Sequence, residues 1–293
     1  MADLKRIMIA SDLSPRADRA LTRAVQLTTE QGAALTVLHV LEALSLTEEL
    51  VHQTAAEAEK NLRQKIGVLP CQPGEAVTIR TVTGKPFVQI IQRAREETAD
   101  LVVVGAHGKH FVKDLFLGTT AEKVVRKGDR PVLTVKKLVH GPYRQVLVPV
   151  DFSESARRAL ELALRLAPQA VFHVLHAYEG LFEGQLRLGG ASTQDIVRHR
   201  QQVAKQARQE MEAFLGSVEC SGKPIKRMVR HGRAPHVIDT AARRLRADLV
   251  AVGSAGRTGI PYILLGSVAE HVLREATCDV LVVRPPAFRF ELP

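Results

Sequence analysis

The chain repeats itself. The segment KRIMIASDLS (5–14) returns as RQVLVPVDFS (144–153), and ALTVLHV (34–40) returns as AVFHVLHA (170–177). TVTGKPFVQII (81–91) returns as MVRHGRAPHVID (228–239), and ADLVVVGAHGK (99–109) as ADLVAVGSAGR (247–257). LGTTAEKVVRKGDRPVLTVKK (117–137) returns as LGSVAEHVLREATCDVLVVRP (265–285). The order is the same in both halves, and the period, roughly 140 residues, is that of a whole domain rather than a solenoid unit. The 293 residues suit two hydrophobic cores of ordinary size. The expected domains are residues 1–139 and 140–293, with the boundary near Val139-His140-Gly141-Pro142, where Gly-Pro breaks regular structure.

Within each half, short β-branched runs alternate with longer amphipathic stretches. In the first half, strands are expected near 5–10, 34–40, 76–82, 101–105 and 131–136, and helices near 15–31, 47–66, 86–98 and 119–127. That alternation implies parallel strands joined by right-handed crossovers. LVVVG (101–105) and LVAVG (249–253) are apolar without alternation, as a strand buried on both faces must be. The fold class is therefore α/β: two tandem open parallel five-stranded sheets with helices on both faces, Rossmann-like in layout. The closing strands, 130–137 and 278–285, would be exposed edges if they ended their sheets. Edges are normally paired or covered.

Net charge is +10, which raises nucleic acid as a partner. The charge is spread evenly, however: residues 1–140 hold 20 Lys/Arg against 16 Asp/Glu, and residues 141–293 hold 21 against 15. With no Trp and 3 Tyr there is little aromatic surface for stacking bases, and no apolar run approaches the roughly 20 residues that span a bilayer, so neither nucleic acid nor membrane is an expected partner. Three cysteines, Cys71, Cys220 and Cys278, form no CxxC and no metal-ligand spacing. With the N-terminus MADLKRIMIASD lacking a secretory pattern, the expected location is the cytoplasm.

In open parallel sheets, ligands bind beyond the carboxyl ends of strands, where the strand order reverses. Strand one runs into Asp12 and Ser14 in the first half, and into Asp151 and Ser153 in the second. The serines read as helix N-caps. Each aspartate stands where a ligand would lie, and can either accept hydrogen bonds from it or favour the positive end of the following helix. Strand four runs into Gly105-Ala-His-Gly108, then nine residues, then Gly118-Thr119; its copy runs into Gly253-Ser-Ala-Gly256, nine residues, then Gly266-Ser267. Glycine lets a backbone approach phosphate closely and supplies positive φ where a loop turns. A helix N-terminus offers unpaired N–H groups to an anion. Thr119-x-x-Glu122 and Ser267-x-x-Glu270 also match the capping-box pattern. There is no GxxxxGK[ST], and no GxGxxG follows either first strand.

These residues together resemble the universal stress protein family in its tandem form, and the G-x2-G-x9-G-[S/T] loop resembles its ATP-binding branch. The resemblance spans nearly all of both halves and implies the adenine nucleotide alpha hydrolase-like variant of the fold. It also implies that Asp12 and Asp151 hold the adenosine, and that the backbone at Val40 and Ala177, just after strand two, meets the adenine edge. Gly105, Gly108, Gly253 and Gly256 would line ribose and phosphates. Gly118, Thr119, Gly266 and Ser267 would bind the phosphate chain of ATP (or ADP or AMP), with Mg²⁺ or Mn²⁺ held through phosphate oxygens rather than by protein ligands. In the resembled family the closing strands pair antiparallel across a twofold, so the two halves are expected to form a pseudo-twofold pair within one chain, as a monomer or a homodimer, with a protein partner that the sequence does not name.

The chain departs from that family in its loops. The first carries His107, His110 and Asp114, and the second carries Pro261. Three functions compete: a nucleotide-dependent regulatory module in stress response, a slow ATPase or adenine-nucleotide-processing enzyme, and a nucleotide-free interaction protein. No general base, catalytic Lys or carboxylate pair stands near the glycine loops in sequence, so hydrolysis would have to use His107, His110 or Asp114 to position water. The regulatory reading is preferred. His39 and His176, at strand ends, are expected to pack, and His173 is given no role.

Overall fold

A computed structural model describes residues 4–42, 47–70, 77–106, 118–179, 192–220, 222–256, 265–285, 288 and 290–291. The first half contains β1 (Arg6–Ala10), α1 (Pro15–Gln31), β2 (Ala34–Leu41), α2 (Glu48–Gly67), β3 (Val77–Thr83), α3 (Pro86–Glu96), β4 (Leu101–Gly105), α4 (Thr119–Lys127) and β5 (Val132–Val135). The second contains β6 (Gln145–Pro149), α5 (Glu154–Leu166), β7 (Val171–Tyr178), α6 (Thr193–Gly216), β8 (Ile225–His231), α7 (Ala234–Leu245), β9 (Leu249–Gly253), α8 (Ser267–Glu275) and β10 (Asp279–Val283). Each half is an open parallel sheet, ordered β3-β2-β1-β4-β5 and β8-β7-β6-β9-β10. In both, the order reverses between the first and fourth strands.

Strand register follows from which faces are covered. Ile7 and Ile9 join one apolar cluster with α1 and α2, whereas Met8 joins another with α3 and α4. Both clusters run on into the second half, so one core layer covers each face of the whole sheet. Leu101–Val104 and Leu249–Val252 are at most 3% exposed, as strands covered on both sides require. The outer edges are β3 and β8. β8 carries Lys226, Arg227 and Arg230, and charge of this kind keeps an edge strand from adding further strands.

The closing strands pair antiparallel, joining the halves into one ten-stranded sheet. Leu133 lies opposite Leu281, Thr134 opposite Val280 and Val132 opposite Val282. Leu133 and Leu281 are also equivalent in the repeat, so the pseudo-twofold passes between them, as the resemblance implied. Asp279, 1% exposed, fixes the join from one side. Its Oδ1 accepts the backbone N–H groups of Lys136 and Lys137 at 2.8 and 3.1 Å, and its Oδ2 accepts the Tyr143 hydroxyl at 2.7 Å. Arg23 stacks 4.0 Å over the Tyr143 ring, with its Nε 3.6 Å from Asp279. Burial and the Asp279 charge push the Tyr143 phenol well above its ordinary pKa, so it stays a donor.

Candidate functional site

Each half has a cavity at its strand-order reversal. That of the first half, about 400 Å³, is lined by Asp12, His39, Val40, Pro86, Ile90, Gly105 and the first turn of α4 from Gly118 to Ala121, among others. That of the second, about 330 Å³, is lined by Asp151, His176, Ala177, Ala234, Ile238, Gly253, Gly256 and the first turn of α8 from Gly266 to Ala269. Of the twelve site residues expected from sequence, the structure gathers eleven around these two cavities. Gly108 lies outside the described residues, as do His107, His110, Asp114, Pro261 and Cys71.

The turn after strand one is built twice from the same contacts. Asp12 Oδ1 accepts the Ser14 N–H at 3.0 Å and its hydroxyl at 2.6 Å; Asp151 Oδ1 accepts the Ser153 N–H at 3.1 Å and its hydroxyl at 2.5 Å. The serines then accept the N–H groups of Ala17 and Ala156 as N-caps, as expected. The residues between, Leu13 and Phe152, sit at φ 63° and 64°. That left-handed conformation strains an L-residue and turns each chain sharply out of the sheet. In the second half, a methyl group on Gly256 would come within 2.9 Å of Asp151 Oδ2. One carboxylate oxygen therefore holds the turn, and the other faces the glycine loop.

Four expectations need correction. First, the capping boxes do not form: the N-caps of α4 and α8 are Gly118 and Gly266, and Thr119 and Ser267 are the first helical residues. A glycine cap has no side chain to satisfy the first N–H groups, and the hydroxyls are not used for capping. Glu122 and Glu270 turn instead to arginines, including those across the join. Second, positive φ is not what these glycines supply. Gly118 and Gly266 sit at φ −62° and −60°, and Gly105, Gly253 and Gly256 are not among the positive-φ residues. Close approach is the reason that stands. A Cβ on Gly253 would lie 2.6 Å from Ser155 C and 2.8 Å from Ala156 N, so this glycine lets the start of α5 pack on the end of β9. Third, Val40 and Ala177 lie inside β2 and β7, opposite Val82 and Arg230, not after the strands. Fourth, the histidines do more than pack. His39 Nδ1 lies 2.7 Å from the Ser11 carbonyl and His176 Nδ1 2.8 Å from that of Val150, so each ties strand two to the end of strand one in the cavity wall. His173 contacts Gln145 Oε1 through Nε2 at 2.8 Å.

Sequence reading also missed the αL residues and the apolar floors at Pro86/Ile90 and Ala234/Ile238. The available signals were the repeated D-[LF]-S turn and the repeated segments 81–91 and 228–239. Burial pushes the Cys278 thiol up to about 12 and raises Cys220, which disfavours a reactive thiolate at either. Among the described residues no group of three or more His, Cys, Asp or Glu could hold a metal ion. No described helix is long and apolar enough to cross a membrane.

The model of the universal stress protein family matches residues 3–136 and again 142–284. A universal stress protein of Mycolicibacterium smegmatis is 24% identical over 95% of this chain and 97% of its own length. Universal stress protein G of Salmonella typhimurium, a shorter relative, is 33% identical over 48% of this chain and 99% of itself. The crystal structure of a universal stress protein from Archaeoglobus fulgidus superimposes with a TM-score of 0.68 at 22% identity, covering 97% of this chain and 99% of that one. With the family's domain present twice, end to end, the chain belongs to the universal stress protein family in tandem form.

Proposed function

We propose that each half binds an adenine nucleotide, ATP or its di- or monophosphate, and that the chain acts as a nucleotide-dependent regulatory module in stress response. The observation that carries this reading is the duplicated cavity, lined in each half by a strand-end carboxylate and by the first turn of a helix capped by glycine. Phosphates would lie on the uncapped N–H groups of α4 and α8, where the helix dipole favours anions. The Thr119 and Ser267 hydroxyls stand on the same first turns. Adenosine would lie over the apolar floor, with Asp12 or Asp151 accepting from ribose hydroxyls and the backbone of Val40 or Ala177 at the base edge. Mg²⁺ or Mn²⁺ would neutralise the phosphate chain.

Gly118→Val and Gly266→Val test this. Both positions have backbone angles that valine tolerates, and a Cβ on Gly266 meets only ordinary contacts, the nearest at 3.4 Å. The branched side chain would nevertheless stand where phosphate must approach. Calorimetric titration with ATP and Mg²⁺ should give two equivalents for the wild type and one for each variant, with folding checked by circular dichroism. Unchanged stoichiometry in both folded variants would defeat the reading.

A further inference from the structure

The two cavities are joined by contacts that run in a closed ring. Starting at the first cavity, the Gly118 N–H donates to the Ala106 carbonyl at 2.7 Å, and the Ala106 N–H donates to the Val135 carbonyl at 3.0 Å. The next residue, Lys136, crosses the join. Its Nζ donates to the Leu273 and Ala276 carbonyls at 2.8 and 2.7 Å, capping the far end of α8. The near end of α8 is the wall of the second cavity. There the Gly266 N–H donates to the Ser254 carbonyl at 2.8 Å, and the Ser254 N–H to the Val283 carbonyl at 2.9 Å. The next residue, Arg284, crosses back. Its Nη2 donates to the Val125 carbonyl at 3.0 Å and to that of Arg126, capping the far end of α4. A second link lies between the helices: Arg126 reaches Glu270 at 2.7 Å, and Arg274 reaches Glu122 at 3.3 Å. Lys136 and Arg284 are equivalent in the repeat, so each half holds the other's phosphate-facing helix by the same device.

We propose that the cavities are coupled through this ring, so that nucleotide bound in one half raises the affinity of the other. The proposal rests on the nucleotide-binding reading above. A ligand seated on the first turn of α4 fixes that helix, and with it Arg284, Val283 and the Ser254–Gly266 contact of the other loop. The second ligand then has less left to order, which is positive coupling. Each helix is about 13 Å long at 1.5 Å per residue. Arg284 is 3% exposed and buried charges are screened less than exposed ones, so a bound phosphate also attracts the cation that caps the same helix, which favours the same sign as the ordering.

The test is calorimetric titration of the full chain with ATP and Mg²⁺, alongside Gly118→Val and Gly266→Val. The expected wild-type isotherm has two equivalents, the second bound about 5-fold or more tighter than the same half binds in the single-site variant, within the usual range of such coupling. Lys136→Met and Arg284→Met, which remove a cap but touch neither cavity, should bind two equivalents independently, and Lys136→Arg should restore coupling. Wild type against the single-site variants decides the matter even where a cap variant fails to fold. Two independent equivalents, a second equivalent weaker than the first, or a single equivalent in the wild type overturns the coupling while leaving nucleotide binding intact. A folded wild type that takes up no ATP overturns both.

Discussion

Thr119 and Ser267 show how a one-residue difference in register changes what a side chain is for. At the N-cap a hydroxyl would be occupied by the helix, and its loss would cost about 1 kcal/mol. At the first helical position, behind a glycine cap, it has no capping duty. Thr119→Ala and Ser267→Ala should therefore change stability by less than about 0.5 kcal/mol, as ordinary surface substitutions do, yet weaken ATP binding in the half that carries them. Thermal melts paired with titrations check this; a stability loss near the capping value would put the hydroxyl back at the helix end. The [S/T]-x-x-E spacing misled because glycine is itself an acceptable N-cap, and because Glu122 and Glu270 pair instead with Arg126 and Arg274, in each case one four residues on and the other across the join. The aspartates were legible for the opposite reason. Asp12 and Asp151 each stand two residues past the end of an apolar strand, so the end of the run alone puts them at the sheet mouth.

At the scale of elements, every strand and helix foreseen in the first half is present to within a few residues, because strands buried on both faces leave unbroken apolar runs and the helices covering them leave amphipathic periods. The cations that cross the join were not legible. Lys136 reads as a strand-end charge, and only the β5–β10 pairing brings it under α8. Burial pushes its ammonium down from 10.5 to about 8, against the pull of Cys278, Asp279 and Glu275. Below about pH 8 both folded and unfolded chains hold this proton. Between about pH 8 and 10.5 the unfolded chain holds more of it than the folded chain, so this group's contribution to stability rises with pH there. Other groups titrate in the same range, so the difference between wild type and Lys136→Met isolates it. Urea unfolding at pH 7.5 and pH 10 should show wild type gaining stability relative to Lys136→Met; a constant difference would mean that Lys136 keeps an ordinary pKa.

The two halves repeat the same order of strands and helices, but the polar groups at their join are not repeated. A strand that pairs across a twofold could equally pair with its own copy in another chain, β5 on β5 or β10 on β10. The polar group at the join discriminates between these arrangements. Arg23, Tyr143 and Asp279 stand on one side of the axis; their equivalents in the repeat are Leu162, Leu4 and Pro131, with Leu4 and Leu162 buried. In the pairing observed, Asp279 accepts two N–H groups from Lys136 and Lys137. In a β10–β10 pair it would meet the equivalents of those residues, Arg284 and Pro285, and proline has no N–H to donate. A β5–β5 pair would have Pro131 in place of the aspartate. Only β5 on β10 satisfies a carboxylate that is 1% exposed, and a buried charge left short of partners is strongly unfavourable. Asp279→Ala should lower unfolding stability by about 3–5 kcal/mol, the usual consequence of removing one member of a buried ion pair. Adding Arg23→Leu, which copies the apolar side, should recover part of that loss. Without the aspartate, pairing also loses its selectivity. Refolding at high concentration should then give more interchain species by light scattering for the folded double variant than for wild type. A stability loss under about 1 kcal/mol, together with an unchanged size distribution, would show that the apolar strands choose their partner without it.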